Sequence, residues 1–335
     1  MSKHREDSYI FCASLMKAGE RNFISKENLL EIAQSKDFKS AITLLHSFGY
    51  GDGKELENPR DFNFMLEEEE EKVSEFVFSA LPERSQLELL KFPKDYHNVK
   101  AVLKAEALGI SPESYMVSGG TLERESLAEM IKERNFIFLS VNMKEAIDQA
   151  LEVFAKGKDP QEIDIILDKA CYKDMLQEAE NLGNSFVTGY VKLLIDILNV
   201  NIFVRLRQIK KPVEFFSKVF LDGGDIQEKF FRASYEEGYK PLAEKFQPFG
   251  FGEAFGKGAT AVEETGKYYL LEKLCDDARI EYIKGAKFVS FGIEPAAAYL
   301  IAKESEVKNL RMILTGKIAG TANETIVERL RETYV

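Results

Sequence analysis

Asp95-Tyr-His-Asn98-Val99-Lys100-Ala-Val-Leu103-Lys104 carries two stripes on one helix. With the asparagine as origin, aliphatic residues stand one and five positions on, at Val99 and Leu103. Side chains four apart stack on the same helix face. Lys100 and Lys104 form a second stripe of the same spacing. The segment therefore reads as a helix with one oily edge and one basic edge.

The pattern returns twice. Asn201-Ile202-Phe203-Val-Arg205-Leu206-Arg207 repeats it, and so does Glu306-Val-Lys-Asn309-Leu310-Arg311-Met-Ile-Leu314-Thr315. Ile202 with Leu206, and Leu310 with Leu314, continue the oily edge. Arg207 and Arg311 continue the basic one, and Arg205 lies beside it. The three asparagines are 103 and 108 residues apart (201 − 98 and 309 − 201). The loops after the three copies echo one another too. Ser118-Gly-Gly-Thr-Leu122 precedes a helix expected from Glu125, and Asp222-Gly-Gly-Asp-Ile226 precedes another. Ala319-Gly-Thr321 is a shortened third loop before a closing helix expected over Asn323 to Tyr334. A period near 100 exceeds the roughly 20–50 residues of solenoid units. It suits three helical domains of related build, expected at residues 1–118, 119–222 and 223–335.

The remaining sequence is helical in period. Between Ile24 and Leu45 the apolar groups Leu29, Leu30, Ile32, Ala33 and Ala41, Ile42, Leu44, Leu45 predict two helices broken at Ser35 to Asp37. Asp159-Pro160 predicts a start, an Asp cap with Pro in the first turn. Gly and Pro clusters separate further short helices, and long alternating runs are missing, so the expected class is all-α. The Glu67 to Glu71 run is expected at a solvated helix start.

Composition narrows function. Of 335 residues, 45% are apolar, enough for a sizeable core. The net charge of −11 disfavours nucleic acid. Cys12, Cys171 and Cys275 form no metal-binding spacing and read as reduced, buried thiols. The polar start, Met1 to Asp7, has no apolar core of a secretory signal. Phe186 to Leu206 is the longest apolar stretch, but Lys192, Asp196 and Arg205 interrupt it. A soluble or peripheral cytoplasmic protein is expected.

No chemistry stands out. His4, His46 and His97 are scattered and read as structural, so no metal site is expected. Carboxylates form no obvious acid–base pair, and no catalytic residue or cofactor is expected. Gly250-Phe-Gly-Glu-Ala-Phe-Gly-Lys257-Gly258 resembles a phosphate loop only in composition. Gly258 stands where a magnesium-holding hydroxyl is needed. A flexible interdomain connector is the expectation there, with a nucleotide-binding enzyme using this loop as one alternative. Arg205, Arg207, Lys210 and Lys211 gather at a helix end before Pro212. They either offset the helix dipole or face an acidic partner.

The C-terminal stretch carries a resemblance. Phe291-Gly-Ile-Glu-Pro-Ala-Ala-Ala-Tyr-Leu-Ile-Ala-Lys-Glu304, then Val307-Lys-Asn-Leu-Arg-Met-Ile-Leu-Thr-Gly-Lys317, then Ile326-Val-Glu-Arg-Leu-Arg-Glu-Thr-Tyr-Val335, resembles the close of the C subunit of V-type and A-type ATPases, related to the d subunit of the eukaryotic V-ATPase. Tyr9 to Glu20, Phe38 to Tyr50, Asp95 to Lys100 and Asp159 to Lys169 extend it. The resemblance implies three similar helical bundles around a pseudo-threefold axis, shaped as a funnel with a central cavity. It implies a non-catalytic rotor component of the central stalk, seating shaft subunits of D and F type on the membrane ring in a machine of ion transport and ATP synthesis. The protein would be peripheral to the membrane through that ring, and a monomer when isolated. Lys100, Lys104, Arg205, Arg207 and Arg311 are the expected shaft contacts. A generic helical scaffold is the remaining alternative.

Overall fold

The computed structural model describes residues 3–53 and 56–335, with side chains from Tyr9 onward. His4 and the charged start Met1 to Asp7 therefore lie outside the described side chains. Every regular element among the described residues is helical, with no strand. The first stretch holds α1 (Lys3–Gly19), α2 (Lys26–Gln34), α3 (Phe38–Ser47) and α4 (Phe62–Ala80). The middle holds α5 (Phe92–Leu108), α6 (Arg124–Lys132), α7 (Val141–Gly157), α8 (Pro160–Leu182), α9 (Ser185–Gln208), α10 (Val213–Val219) and α11 (Glu228–Ala233). The last holds α12 (Tyr239–Phe246), α13 (Thr260–Thr265), α14 (Tyr269–Lys284), α15 (Glu294–Ile318) and α16 (Asn323–Glu328). Two compact units result: residues 1–84 with 238–335, and residues 85–237.

In the first unit α15 is the central post. Its Leu310, Ile313 and Leu314 pack with Leu29, Ile32, Leu45, Phe62 and Leu66 in one core. The expected break between α2 and α3 is present. Asp37 caps α3 by accepting from the Ser40 N–H, and Ser25 caps α2 by accepting from the Asn28 N–H. Two expectations shift. Glu67 to Glu71 lies inside α4, which starts at Phe62, rather than at a helix start. The closing helix stops at Glu328. Beyond it the Arg331 backbone is bound by Asn309, and the Glu332 N–H donates to Asp277 Oδ1 at 2.6 Å. Those side chains hold backbone groups that a continuing helix would need.

In the second unit α8 and α9 form a tight hairpin. Asp159 caps α8 as the sequence predicts, and Pro160 fills its first turn. Gly183 closes α8 at φ 67°, a left-handed turn that glycine adopts without steric cost. Asn184 then caps α9 by accepting from the Val187 N–H. Phe203 packs against Phe216, Phe231 and Tyr235, with ring centroids 5.4–5.6 Å apart. By length and composition α9 could cross a membrane. Here it is the core helix of its unit, with Asp196 and Asn199 buried and hydrogen-bonded to backbone.

Candidate functional site

The repeat acquires a physical meaning on α5, α9 and α15. The Asn98 amide donates to the Val117 carbonyl at 2.9 Å and accepts from the Val117 N–H at 2.8 Å. Asn199 does the same with Leu221, at 2.8 and 2.9 Å. Asn309 does so with Arg331, at 3.3 and 2.9 Å. One side chain thus satisfies both backbone groups of one residue in a non-helical segment. The second copy is therefore centred on Asn199. Asn201, the asparagine singled out by the apolar pattern, donates only to the carbonyl of Ile197 in its own helix.

A carboxylate stands three residues before each clamping asparagine, one turn earlier on the same helix. Asp95 accepts from the N–H groups of Thr121 and Leu122 and from the Thr121 hydroxyl. Asp196 accepts from the N–H groups of Asp225 and Ile226, at 2.9 and 3.1 Å. Burial raises both carboxyl pKa values, Asp196 to about 6, against the pull of those N–H groups. The paired glycines make room. A Cβ on Gly120 would lie 2.1 Å from Asp95 Oδ1, and one on Gly224 would lie 2.1 Å from Asp196 Oδ1. In the third copy Glu306 accepts from the Ile24 N–H and the Tyr50 hydroxyl instead. Arg331, not the turn Ala319 to Thr321, is the segment clamped there.

The five cationic candidates fall into both units, Arg311 in the first and the other four in the second. Lys100 pairs with Asp168 at 2.8 Å and Lys104 with Asp164 at 2.6 Å. Two lysines one turn apart on α5 thus meet two aspartates one turn apart on α8. Arg207 donates to the Glu237 carbonyl and lies 5.3 Å from the Phe203 ring. Arg205, Lys210 and Lys211 are exposed at the end of α9, around the half-exposed Ile209. Arg311 is partly exposed on α15. His46 and His97 each contact a backbone carbonyl, of Tyr50 and Tyr115, and the three cysteines are buried.

The glycine-rich run is not a flexible connector. Gly252 to Thr265 is continuous helix with a π turn over Ala254–Ala259. Phe251, Ala254, Phe255 and Ala259 are buried. A Cβ on Gly258 would lie 2.8 Å from Leu271 Cα, so this glycine lets two helices approach closely. The run therefore does not form the open, phosphate-cradling loop that its composition suggests.

The family model of the ATP synthase (C/AC39) subunit matches residues 13–329. The chain belongs to this family. Among curated proteins, the V-type sodium ATPase C subunit of Enterococcus hirae is 24% identical over 324 residues, covering 96% of this chain and 97% of the relative. The A-type ATP synthase C subunit of Methanocaldococcus jannaschii is 22% identical over 341 residues, covering 95% and 85%. That of Pyrococcus abyssi is 23% identical over 343 residues, covering 97% and 90%.

One polar centre of this family member escapes the sequence pattern. Lys303, 3% exposed, donates to Glu306 at 2.8 Å and to Glu69 at 3.2 Å. Its ammonium also lies 5.2 Å from the Phe23 and Tyr50 ring centres. Burial, then the Glu306 charge, raises the Tyr50 pKa well above its usual value, so its hydroxyl stays a donor. Glu69 belongs to the acidic run, which therefore supplies a counterion to the core. The available signal was the carboxylate three residues before Asn309.

Proposed function

We propose that the chain is the non-catalytic C subunit of a rotary, ion-translocating ATPase, a connector that seats the turning shaft on the membrane ring. The observation that carries this reading is the end-to-end match to relatives named as the C subunit of V-type ATPases and A-type ATP synthases. A connector must transmit torque without local unfolding. Helices tied by buried side-chain clamps, in close-packed cores, resist such deformation. In this reading the clamps centred on Asn98, Asn199 and Asn309 mark three related domains. The Gly-Gly segments 119–122 and 223–226 return to the helix of the preceding copy. The protein sits at the cytoplasmic membrane surface through the ring.

Arg205, Arg207 and Arg311 are the shaft contacts of this proposal, with Lys100 and Lys104 held in ion pairs to α8. Shaft subunits of D and F type, co-expressed with the chain, should be captured with it. The Arg205→Glu/Arg311→Glu variant should weaken capture roughly tenfold while leaving the fold intact. Undiminished capture would remove these arginines from the interface. Failure of the wild type to associate with shaft or ring would overturn the connector reading. Nucleotide turnover by the isolated chain would favour an enzyme, and stable partners from outside any ATPase would favour a scaffold.

A further inference from the structure

Besides its oily and basic edges, α5 has a third face. Lys100 and Lys104 bind α8. Val102 and Glu106 stand two positions further on, about 200° around the helix. They face a groove of about 910 Å³ between α5 and α6, within the second unit. Val102, Met116 and Ala128 provide apolar surface in it. Among the described residues, its floor offers no buried charged or hydroxyl side chain of the kind that orients a small ligand. Its polar lining is mainly acidic. Five glutamates line it against Arg124 and Lys132. Two are already paired: Glu106 with Arg134 at 2.9 Å, and Glu125 with Arg124 at 3.6 Å. Glu113, Glu129 and Glu133 are exposed and form no ion pair among the described residues. The surface beside it is oily too, with Leu108 72% and Tyr115 57% exposed.

We propose that this groove docks a basic amphipathic helix of a partner protein. An apolar trough receives the oily stripe of such a helix, and methionine adapts to its side chains. Three uncommitted carboxylates on the lining then meet lysines or arginines flanking that stripe. This complementarity selects a basic helix over an acidic one and speeds encounter. The proposal goes beyond the connector reading and stands without it, because it rests on the lining of the second unit alone.

The test uses the full-length chain and a labelled synthetic peptide of about five helical turns, Leu at i, i+3, i+4 and i+7 with Lys elsewhere. Controls are a scrambled Leu/Lys peptide and a Leu/Glu peptide of the same pattern. Three variants are compared by fluorescence anisotropy: Glu113→Lys/Glu129→Lys in the groove, Glu68→Lys/Glu71→Lys on α4, and Ala128→Trp, which fills the trough. The two double reversals change net charge equally, so they separate groove recognition from diffuse attraction. Circular dichroism melts confirm that each variant is folded. The groove reversal and Ala128→Trp should each weaken binding roughly tenfold, while the α4 reversal stays near wild type. The control peptides should bind at least roughly tenfold more weakly than the patterned Leu/Lys helix. Equal loss from both reversals, no loss from the groove reversal, or no binding by the wild type would overturn the proposal.

Discussion

Asn199 holds both the N–H and the C=O of Leu221 with one buried side-chain amide. A leucine there would leave two backbone groups without partners, each costing roughly 1–3 kcal/mol. The expected outcome for Asn199→Leu is a stability loss of about 2–5 kcal/mol, read as a lower urea midpoint. Asn201→Leu provides the contrast. Asn201 donates only within its own helix, so its replacement should change stability by less than about 1 kcal/mol. Equal losses from the two variants would undo the assignment of the clamp to Asn199.

Gly224 lies against Asp196 so closely that no side chain fits. Gly224→Ala would place a methyl 2.1 Å from Asp196 Oδ1. Either the loop moves away or the carboxylate leaves the two N–H groups it accepts from. Such overpacking costs roughly 1–3 kcal/mol. Hydrogen exchange at the Asp225 and Ile226 amides should quicken in the variant, and exchange rates matching wild type would count against this account.

How far these clamps were legible depends on which residues are unique in a helix. Aliphatic pairs four apart recur at several registers of α9, because that helix is buried over most of its surface. Ile202 and Leu206 therefore offered a good pattern in the wrong register. Buried polar residues are not interchangeable in this way. The carboxylate three before the asparagine, in Asp95 to Asn98, Asp196 to Asn199 and Glu306 to Asn309, is shared by all three copies and fixes the register on α9 at Asn199. The helix start at Asp159 and the break at Ser35 to Asp37 were legible because caps and breakers act locally. The partners of Lys100 and Lys104 were not, since Asp168 and Asp164 are 68 and 60 residues away in sequence and no local periodicity links them. The glycine run misled for a related reason. Glycine serves a flexible turn and a close helix contact equally well, and only the neighbour, Leu271, tells them apart.

Lys303 is a buried cation with two carboxylate partners. Replacing it with methionine preserves much of its volume but leaves Glu306 and Glu69 without their counterion. Removing one member of such a group typically costs about 3–5 kcal/mol. Lys303→Met should therefore lower the thermal midpoint sharply. Adding Glu306→Gln removes one of the two stranded charges, so the double variant should be less damaged than the sum of the singles. Strict additivity in a double-mutant cycle would show that the two do not interact in the folded chain.

Asp196 makes stability depend on pH in a direction that can be derived. Burial raises its folded pKa to about 6, above the ordinary value near 3.8. Between these values the folded state holds a proton that the unfolded chain has released. The contribution is then complete below about pH 4 and is lost as pH rises through about 6. A shift of this size corresponds to an effect on the order of 2–3 kcal/mol. Asp95, raised by burial as well, slopes the same way, while Asp276, held low against burial by Lys308 and by Arg279 and Arg331, slopes the other. The wild type alone therefore cannot isolate Asp196. Asp196→Asn cannot titrate, although its amide accepts less well from the Asp225 and Ile226 N–H groups. Urea midpoints for both proteins from pH 4 to pH 7.5 should show the wild type losing stability relative to the variant as pH rises through about 6. A gap constant with pH would mean that Asp196 keeps an ordinary pKa in the folded protein.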